Sequence, residues 1–171
     1  MKALFNVVAV SVLLIQLSAC AVNPASEQTW MTITSKEWFN PSFRDIYTTI
    51  DVQKVNNNVF VLNYSFSVPV DPQRGVSPSE MHIFTFCVAS KLAKQAQKSH
   101  WALGSYEKDK DMKYKNTRAL TFVVTALEKD EIAPSLVVNS QPISWNINAQ
   151  DADQYFETCS RTIQKKYMWG N

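Results

Sequence analysis

The most regular pattern in the chain is an alternation of apolar and polar residues between positions 46 and 68. Ile46, Ile50 and Val52 alternate with polar side chains, and Asn56-Asn57-Asn58 then marks a turn, because asparagine tolerates left-handed backbone angles. One face of the following segment carries Phe60, Leu62, Tyr64, Phe66 and Val68. A period of two residues is typical of strands with one buried face, so this stretch predicts a β-hairpin.

The next segment has apolar residues at helical spacing. The segment Ser77–Glu80 offers a capping serine, a proline suited to the first turn and a glutamate that completes a capping box. The apolar residues after it recur every three or four positions, at Met81, Phe84, Val88 and Leu92. This spacing predicts a helix that runs to about Ser99 and buries one stripe, with Cys87 beside that stripe.

The rest of the chain contains shorter patterns that predict five more strands and a final helix. The other predicted strands are Trp30–Thr34, Trp101–Lys108, Arg118–Glu128, Ser135–Asn139 and Ser144–Ile147. The second and third of these form a second hairpin, and Pro142 interrupts the last two. A final helix is predicted from about Ala149 to Tyr167, because one helical face would carry Ala152, Phe156, Cys159 and Ile163.

The order of these elements, ββ-α-ββ(β)-α, predicts an α+β fold. We expect an antiparallel sheet of about five strands with two helices packed on one face. Residues 30–171 have a length that suits a single domain with its own core. Residues 20–29 are small and polar and predict a short tether before that domain.

Two of the three cysteines fall on the predicted helices. Cys87 and Cys159 lie near the apolar sides of these helices, and an even pair in an oxidising compartment favours a disulfide. The alternative is two free buried cysteines that behave as small apolar residues. The sequence predicts the disulfide, and no metal site accompanies either cysteine.

Composition and motif content argue against several classes of function. The net charge is +2 with no basic stripe, and three glycines leave no glycine-rich phosphate loop. No motif for a nucleophile, a zinc protease or a redox CxxC site is present, so we expect no enzyme and no cofactor. His82 and His100 are interpreted as surface or helix-end residues.

A few weaker candidates remain. The pair Asp109 and Asp111 is interpreted as a solvated loop among lysines, and Asp71 with Arg74 as turn residues that could alternatively hold a ligand. The aromatic end Tyr167–Trp169 predicts either a contact with a partner or the membrane interface, or a tail folded back on the core.

The N-terminal segment has the layout of a secretory signal peptide. Lys2 precedes the apolar run Ala3–Leu17, and small residues close the run. The run is shorter than the roughly 20 residues of a spanning helix, so a transmembrane anchor is the poorer interpretation.

Leu17-Ser18-Ala19-Cys20 resembles the lipobox of bacterial lipoproteins: aliphatic, small, small, cysteine. The resemblance implies that residues 1–19 are removed and that Cys20 carries a diacylglycerol and a further acyl chain such as palmitate. The alternative is an ordinary signal peptide that ends in a cysteine. Ala21 in place of an aspartate implies the outer membrane, periplasmic side, in a bacterium with two membranes. The segment Val59–Glu107 also resembles small uncharacterised proteobacterial lipoproteins in its strand, helix and hairpin order.

These observations predict a lipid-anchored, non-enzymatic protein that binds or assists another protein or complex of the cell envelope. The anchor and the missing catalytic motifs favour this hypothesis. The aromatic content leaves a periplasmic binder of a small molecule or lipid as the alternative, and an envelope hydrolase is the weakest of the three.

Overall fold

The computed structural model describes residues 29–40, 48–67, 78–109 and 117–169. Most of them belong to one curled antiparallel sheet. Its strands are β1 Thr29–Thr34, β2 Thr48–Lys54, β3 Val59–Phe66, β4 His100–Tyr106, β5 Ala119–Leu127, β6 Val137–Val138 and β7 Gln141–Asp151. The helices are α1 Ser35–Trp38, α2 Pro78–Gln95 and α3 Phe156–Thr162, with 3-10 turns at Glu107–Asp109 and Lys165–Tyr167.

The strands are arranged in the order β1-β2-β3-β5-β4-β7-β6, and every neighbouring pair is antiparallel. The predicted hairpin is confirmed as β2 and β3, which pair with Ile50 opposite Tyr64. The second predicted hairpin is confirmed as β4 and β5. Helix α2 connects β3 to β4 along the chain. In the sheet, β5 lies between these two strands.

The main core lies between α2 and one face of the sheet. The predicted stripe of α2 is confirmed, since its four apolar residues are buried. From the sheet the core takes alternate residues of the central strands, namely Phe60, Leu62, Tyr64, Phe66, Leu120, Phe122 and Val124. Each fully buried side chain of this size contributes about 1.5–3 kcal/mol, so this layer holds helix and sheet together.

A second, smaller apolar cluster lies on the opposite face of the sheet. Val59, Val61 and Val123 are buried there against Tyr106 and Val138. The segment that precedes β6 covers them, and Trp145 Nε1 donates a hydrogen bond to the Pro134 carbonyl at 2.8 Å. The central strands are therefore apolar on both faces, which explains why valines occupy some outward positions of β3 and β5.

The predicted fold class is wrong. The described residues form a seven-stranded sheet with three short helices, not about five strands with two packed helices. The difference arises after Ser140, where residues 141–151 form one strand along β4 instead of a short piece and the start of a helix. Gln150 and Asp151 pair with Trp101 and His100 of β4, so these residues belong to the sheet. Helix α3 has only seven residues, and Ile163 directly after it forms a β-bridge with Phe39.

The local reason for this change is a turn at the end of β7. The Asp151 carboxylate accepts a hydrogen bond from the backbone N–H of Asp153 at 2.8 Å, and the N–H of Ala152 donates to the Ser99 carbonyl. Aspartate commonly bonds the backbone two residues on in this way. Apolar residues do recur at helical spacing after Ala152, but because of this turn the helix begins only at Phe156.

Candidate functional site

The two cysteines that the sequence pairs lie at disulfide distance. The sulfur atoms of Cys87 in α2 and Cys159 in α3 are 1.97 Å apart, and their Cα atoms are 5.5 Å apart. Both cysteines are buried. The pair joins α2 to α3 across 72 positions of the sequence, so the predicted pairing is confirmed at the level of geometry.

The aromatic C-terminal segment closes over the helical side of the molecule. Tyr167 stacks on Trp38 with ring centroids 4.5 Å apart, and its hydroxyl donates to a carboxylate oxygen of Glu37. Lys91 Nζ donates to the Tyr167 carbonyl, and Trp169 is only 7% exposed. This part of the chain packs on the core, as one of the two predictions for it requires.

The two histidines lie in different elements, His82 in α2 and His100 at the start of β4. His82 is half-buried in the first turns of α2, where burial lowers its pKa, and its ring stacks near Phe86. His100 Nδ1 lies 2.8 Å from the hydroxyl of its neighbour Ser99. Asp109 ends the 3-10 turn after β4.

Several predicted candidates lie outside the described residues. These are Cys20, Asp71, Arg74 and Asp111, together with the whole N-terminal leader. The lipobox therefore stays a prediction from sequence. Within the segments that the structure describes, no three side chains of histidine, cysteine, aspartate or glutamate gather as a metal site.

A pocket of about 360 Å³ opens where β1, β2 and β3 end together. We call it the hydroxyl pocket, and its wall consists of residues Thr34–Lys36, Thr48–Thr49 and Ser65–Ser67. Six of these eight side chains are serine or threonine; the other two are Lys36 and Phe66. The sequence contains no motif at these positions, and the pocket arises from the way the strands are aligned.

The alignment of strands places three hydroxyl residues in one row. Thr34 in β1 is paired with Thr49 in β2, and Thr49 is paired with Ser65 in β3. Successive side chains of a strand point to opposite faces, and the neighbours Ile33 and Phe66 belong to the core. The row therefore lies on the face of the sheet away from α2.

Two further hydroxyl residues at the pocket are buried, and Thr48 is paired with Phe66, so its side chain lies on the core face of the sheet, opposite to the row. Ser35 is 3% exposed and Thr48 is 4% exposed. The backbone N–H of Thr48 donates to Ser35 Oγ at 3.1 Å, whereas Thr48 Oγ1 has no hydrogen-bond partner. A buried hydroxyl without a partner costs about 1–3 kcal/mol, so such a group is uncommon in a protein interior.

Lys36 is the one charged side chain among the described residues of the wall. Lys36 is exposed and forms no ion pair with any residue in the described ranges, and the described part of the wall contains no carboxylate. The arrangement can therefore supply hydroxyl donors and one ammonium group to a ligand. It offers no nucleophile with an adjacent base, since the described wall contains neither histidine nor carboxylate.

A second cavity, of about 480 Å³, lies between residues Asp130–Ala133 and the outer part of β7 at Trp145 and Asn148–Ala149. Two of its polar groups are engaged within the protein: Trp145 Nε1 donates to the Pro134 carbonyl, and Glu131 Oε2 accepts the backbone N–H of Glu128 at 2.7 Å. Ile132 projects beside it with 88% of its surface exposed.

Reasoning from sequence missed the hydroxyl pocket. Alternation does place Thr49 and Ser65 on the outward face, but it does not say that β1 joins the same sheet edge as β2. The signal that could have found the pocket is the pairing of Thr34 with Thr49, which requires a register that no short motif encodes.

Comparison with known proteins adds no family assignment: no family model, curated protein or solved structure matches this chain. No helix in the described parts of the chain combines the length and apolar character needed to cross a bilayer.

Proposed function

We propose that this protein is a lipid-anchored, non-enzymatic binding or accessory protein of the bacterial cell envelope. The observation that carries the proposal is Leu17-Ser18-Ala19-Cys20, which follows an apolar run in the position of a lipobox. Acylation of Cys20 with two or three chains would hold the protein on a membrane, because each buried methylene contributes about 0.8 kcal/mol.

The cysteine pair supports an extracytoplasmic location. Cys87 and Cys159 stand at disulfide distance and bridge two helices, and disulfides persist in oxidising compartments such as the periplasm. Ala21, directly after the lipidated cysteine, favours the outer membrane with the domain on its periplasmic side.

Anchoring is tested by labelling with radioactive palmitate followed by separation of inner and outer membranes. The wild-type chain should carry label and sediment with the outer membrane, and Cys20→Ala should carry none. Ser26→Ala, in the tether, is the matched control and should behave as wild type. Unchanged labelling in Cys20→Ala would refute the anchor, and Ala21→Asp should move the protein to the inner membrane if sorting follows the expected cue.

The binding role is tested by crosslinking in cells and mass spectrometry of the captured proteins. An envelope component captured by the wild type and lost with Cys20→Ala supports an accessory role at the membrane. Capture of the same set by both variants contradicts a role that depends on the anchor. The hydroxyl pocket favours the second candidate, a periplasmic binder of a small polar ligand.

A further inference from the structure

We propose that the end of the sheet at which the tether joins β1 lies against the bilayer that holds Cys20, with Trp30 in the membrane interface. The inference deepens the proposed function and rests on its lipid anchor. The partner of this surface is a phospholipid bilayer.

The first argument is where the chain enters the sheet. β1 begins at Thr29, nine positions after Cys20, so the segment between them spans at most about 30 Å. Because neighbouring strands are antiparallel, the starts of β3 and β4 and the ends of β2, β5 and β7 lie at this same end. We call it the tether end, and it is defined by Thr29, Lys54, Val59, His100, Leu127 and Asp151. A lipid on Cys20 therefore keeps the tether end close to the membrane.

The second argument is the apolar surface exposed at the tether end. Trp30 is 46% exposed, and Ile132 is 88% exposed beside Asn148 and Ala149 near the end of β7. Tryptophan is enriched at membrane interfaces, because its ring is apolar and its N–H is polar. Trp30 and Ile132 lie near opposite margins of the sheet, in β1 and beside β7, and a flat, extended bilayer can contact both.

The third argument is the way in which β1 presents Trp30. The pairing of β1 with β2 shifts register between Thr29 and Met31, so Trp30 is the extra residue of a bulge, a device that re-aims side chains. Its ring lies at the margin of the core, with its centroid 5.7 Å from that of Phe60. Lys54 is exposed, and its Nζ lies 5.6 Å from the centroid of the Trp30 ring. A tryptophan with a lysine beside it is typical of an interfacial anchor, since the ammonium group stays at the level of the headgroups.

The charges at the tether end are mixed. The connections between elements at this end, residues 55–58, 96–99, 128–136 and 152–155, all lie in the described ranges. Lys98 forms an ion pair with Glu128 at 2.8 Å, and the Asp151 carboxylate accepts a backbone N–H. The proposed contact therefore depends on Trp30 and Ile132, so it should form on neutral lipid and persist at high salt.

The test is quenching of tryptophan fluorescence by phosphatidylcholine vesicles whose lipid is brominated near the top of one acyl chain. The full protein is reconstituted through its own lipid. If its intact mass shows an unmodified Cys20, the free thiol is coupled to a maleimide lipid in the same vesicles. Trp30→Phe keeps an aromatic ring next to Phe60 and removes the fluorophore. Trp38→Phe is the matched control, because Trp38 lies in α1, beyond the other end of β1.

Brominated lipid should quench part of the wild-type fluorescence. Trp30→Phe should lose most of this quenching, and Trp38→Phe should retain it, at low and at high salt. Absence of quenching in the wild type overturns the proposal, as does equal quenching in the wild type and Trp30→Phe. An unmodified Cys20 refutes the lipid anchor of the proposed function, whereas quenching of the coupled protein still decides the membrane contact.

A gain of signal at Ile132 provides a second readout. Ile132→Trp, introduced into the Trp30→Phe chain, should restore quenching by the brominated lipid. Val137→Trp in the same chain is the control and should not, because Val137 is also exposed but lies in β6, at the opposite end of β7. No return of quenching with Ile132→Trp, or an equal return with Val137→Trp, would overturn the placement of the tether end against the bilayer.

Discussion

Tyr64 places a hydroxyl group inside the core, where its oxygen lies 2.8 Å from Thr85 Oγ1. Thr85 donates its own hydrogen to the Met81 carbonyl at 2.8 Å, so the Tyr64 hydroxyl is the donor of the pair. Burial raises the pKa of Tyr64 far above its ordinary value, and the hydrogen bond with Thr85 only partly opposes this shift. The phenol therefore stays protonated and remains a donor over the whole physiological pH range.

Because Tyr64 donates this hydrogen bond and Thr85 accepts it, removing the hydroxyl of one residue should affect stability differently from removing the hydroxyl of the other. Tyr64→Phe leaves the donor of Thr85 satisfied and should lower the free energy of unfolding by about 1 kcal/mol. Thr85→Val leaves the buried Tyr64 hydroxyl without an acceptor and should cost about 2 kcal/mol. The double variant should cost less than the sum, as urea denaturation of the four proteins will measure.

The matched control is Tyr155→Phe, since Tyr155 is only partly buried and its hydroxyl is a long 3.4 Å from Gln150. That variant should change stability by a few tenths of a kcal/mol at most, consistent with a weak bond near the surface. Equal effects of Tyr64→Phe and Tyr155→Phe would contradict the assigned direction and value of the buried bond.

Gly104 is important for stability because it has no side chain. A Cβ atom on Gly104 would lie 2.6 Å from the Ser144 carbonyl oxygen and 2.8 Å from the Trp145 ring. Gly104→Ala should therefore push β7 away from β4 and lower the free energy of unfolding by about 1–3 kcal/mol. Gln53→Ala, at a partly exposed position of β2 where a Cβ atom is already present, is the control. Equal stability of Gly104→Ala and wild type in urea would show that β7 can shift at no cost.

Among the elements, α2 and α3 depend on the bridge between Cys87 and Cys159. Closing a loop of this length contributes about 4 kcal/mol in the chain-entropy model. We expect a reducing agent to lower the stability of the wild type by an amount of that order, and to leave a Cys87→Ala/Cys159→Ala variant unaffected.

The bond itself is checked by counting thiols in unfolded, non-reduced protein from the periplasm. Neither Cys87 nor Cys159 should react with an alkylating reagent before reduction, and both should react after it. Full reactivity before reduction would mean that the two cysteines stay free in the cell, which is the alternative that the sequence leaves open.

The sequence allowed correct prediction of elements whose signal is local. The hairpin of β2 and β3 follows from strict alternation around an asparagine turn, and the stripe of α2 follows from spacing of three and four residues. β7 was predicted only as the short piece Ser144–Ile147, because its pattern is uneven: register shifts occur along its pairing with β4, so alternate residues do not stay on one face. The helical spacing after Ala152 then suggested a longer helix than the turn at Asp151 permits.

The hydroxyl pocket could not be predicted from the sequence either, but the reason is different. Four of its six hydroxyl residues are ordinary strand residues, and they meet only because β1, β2 and β3 are in register at this end of the sheet. Pairing between β1 and β2 joins segments separated by a stretch of chain without a hairpin signal. Features of this kind depend on contacts distant in sequence, which periodicity does not record.

For the molecule as a whole, the strand order sets where the structure is most and least stable. β5 lies in the middle of the sheet, bonded to β3 on one side and β4 on the other. β6 contributes two residues, and its ladder to β7 consists of the pairs Val137 with Pro142 and Val138 with Gln141. Local opening of β6 therefore breaks few hydrogen bonds, whereas opening β5 disrupts both halves of the sheet.

Hydrogen–deuterium exchange with mass spectrometry should show this gradient. Peptides from β5 should exchange only through global unfolding, and peptides that contain Val137–Val138 should exchange faster by a route that does not respond to low urea. The buried side chain of Val138 slows this local opening but cannot replace the missing ladder bonds. Equal protection of β6 and β5 would mean that the segment before β7 is held by contacts as strong as the central sheet, and the strand order would then not govern stability.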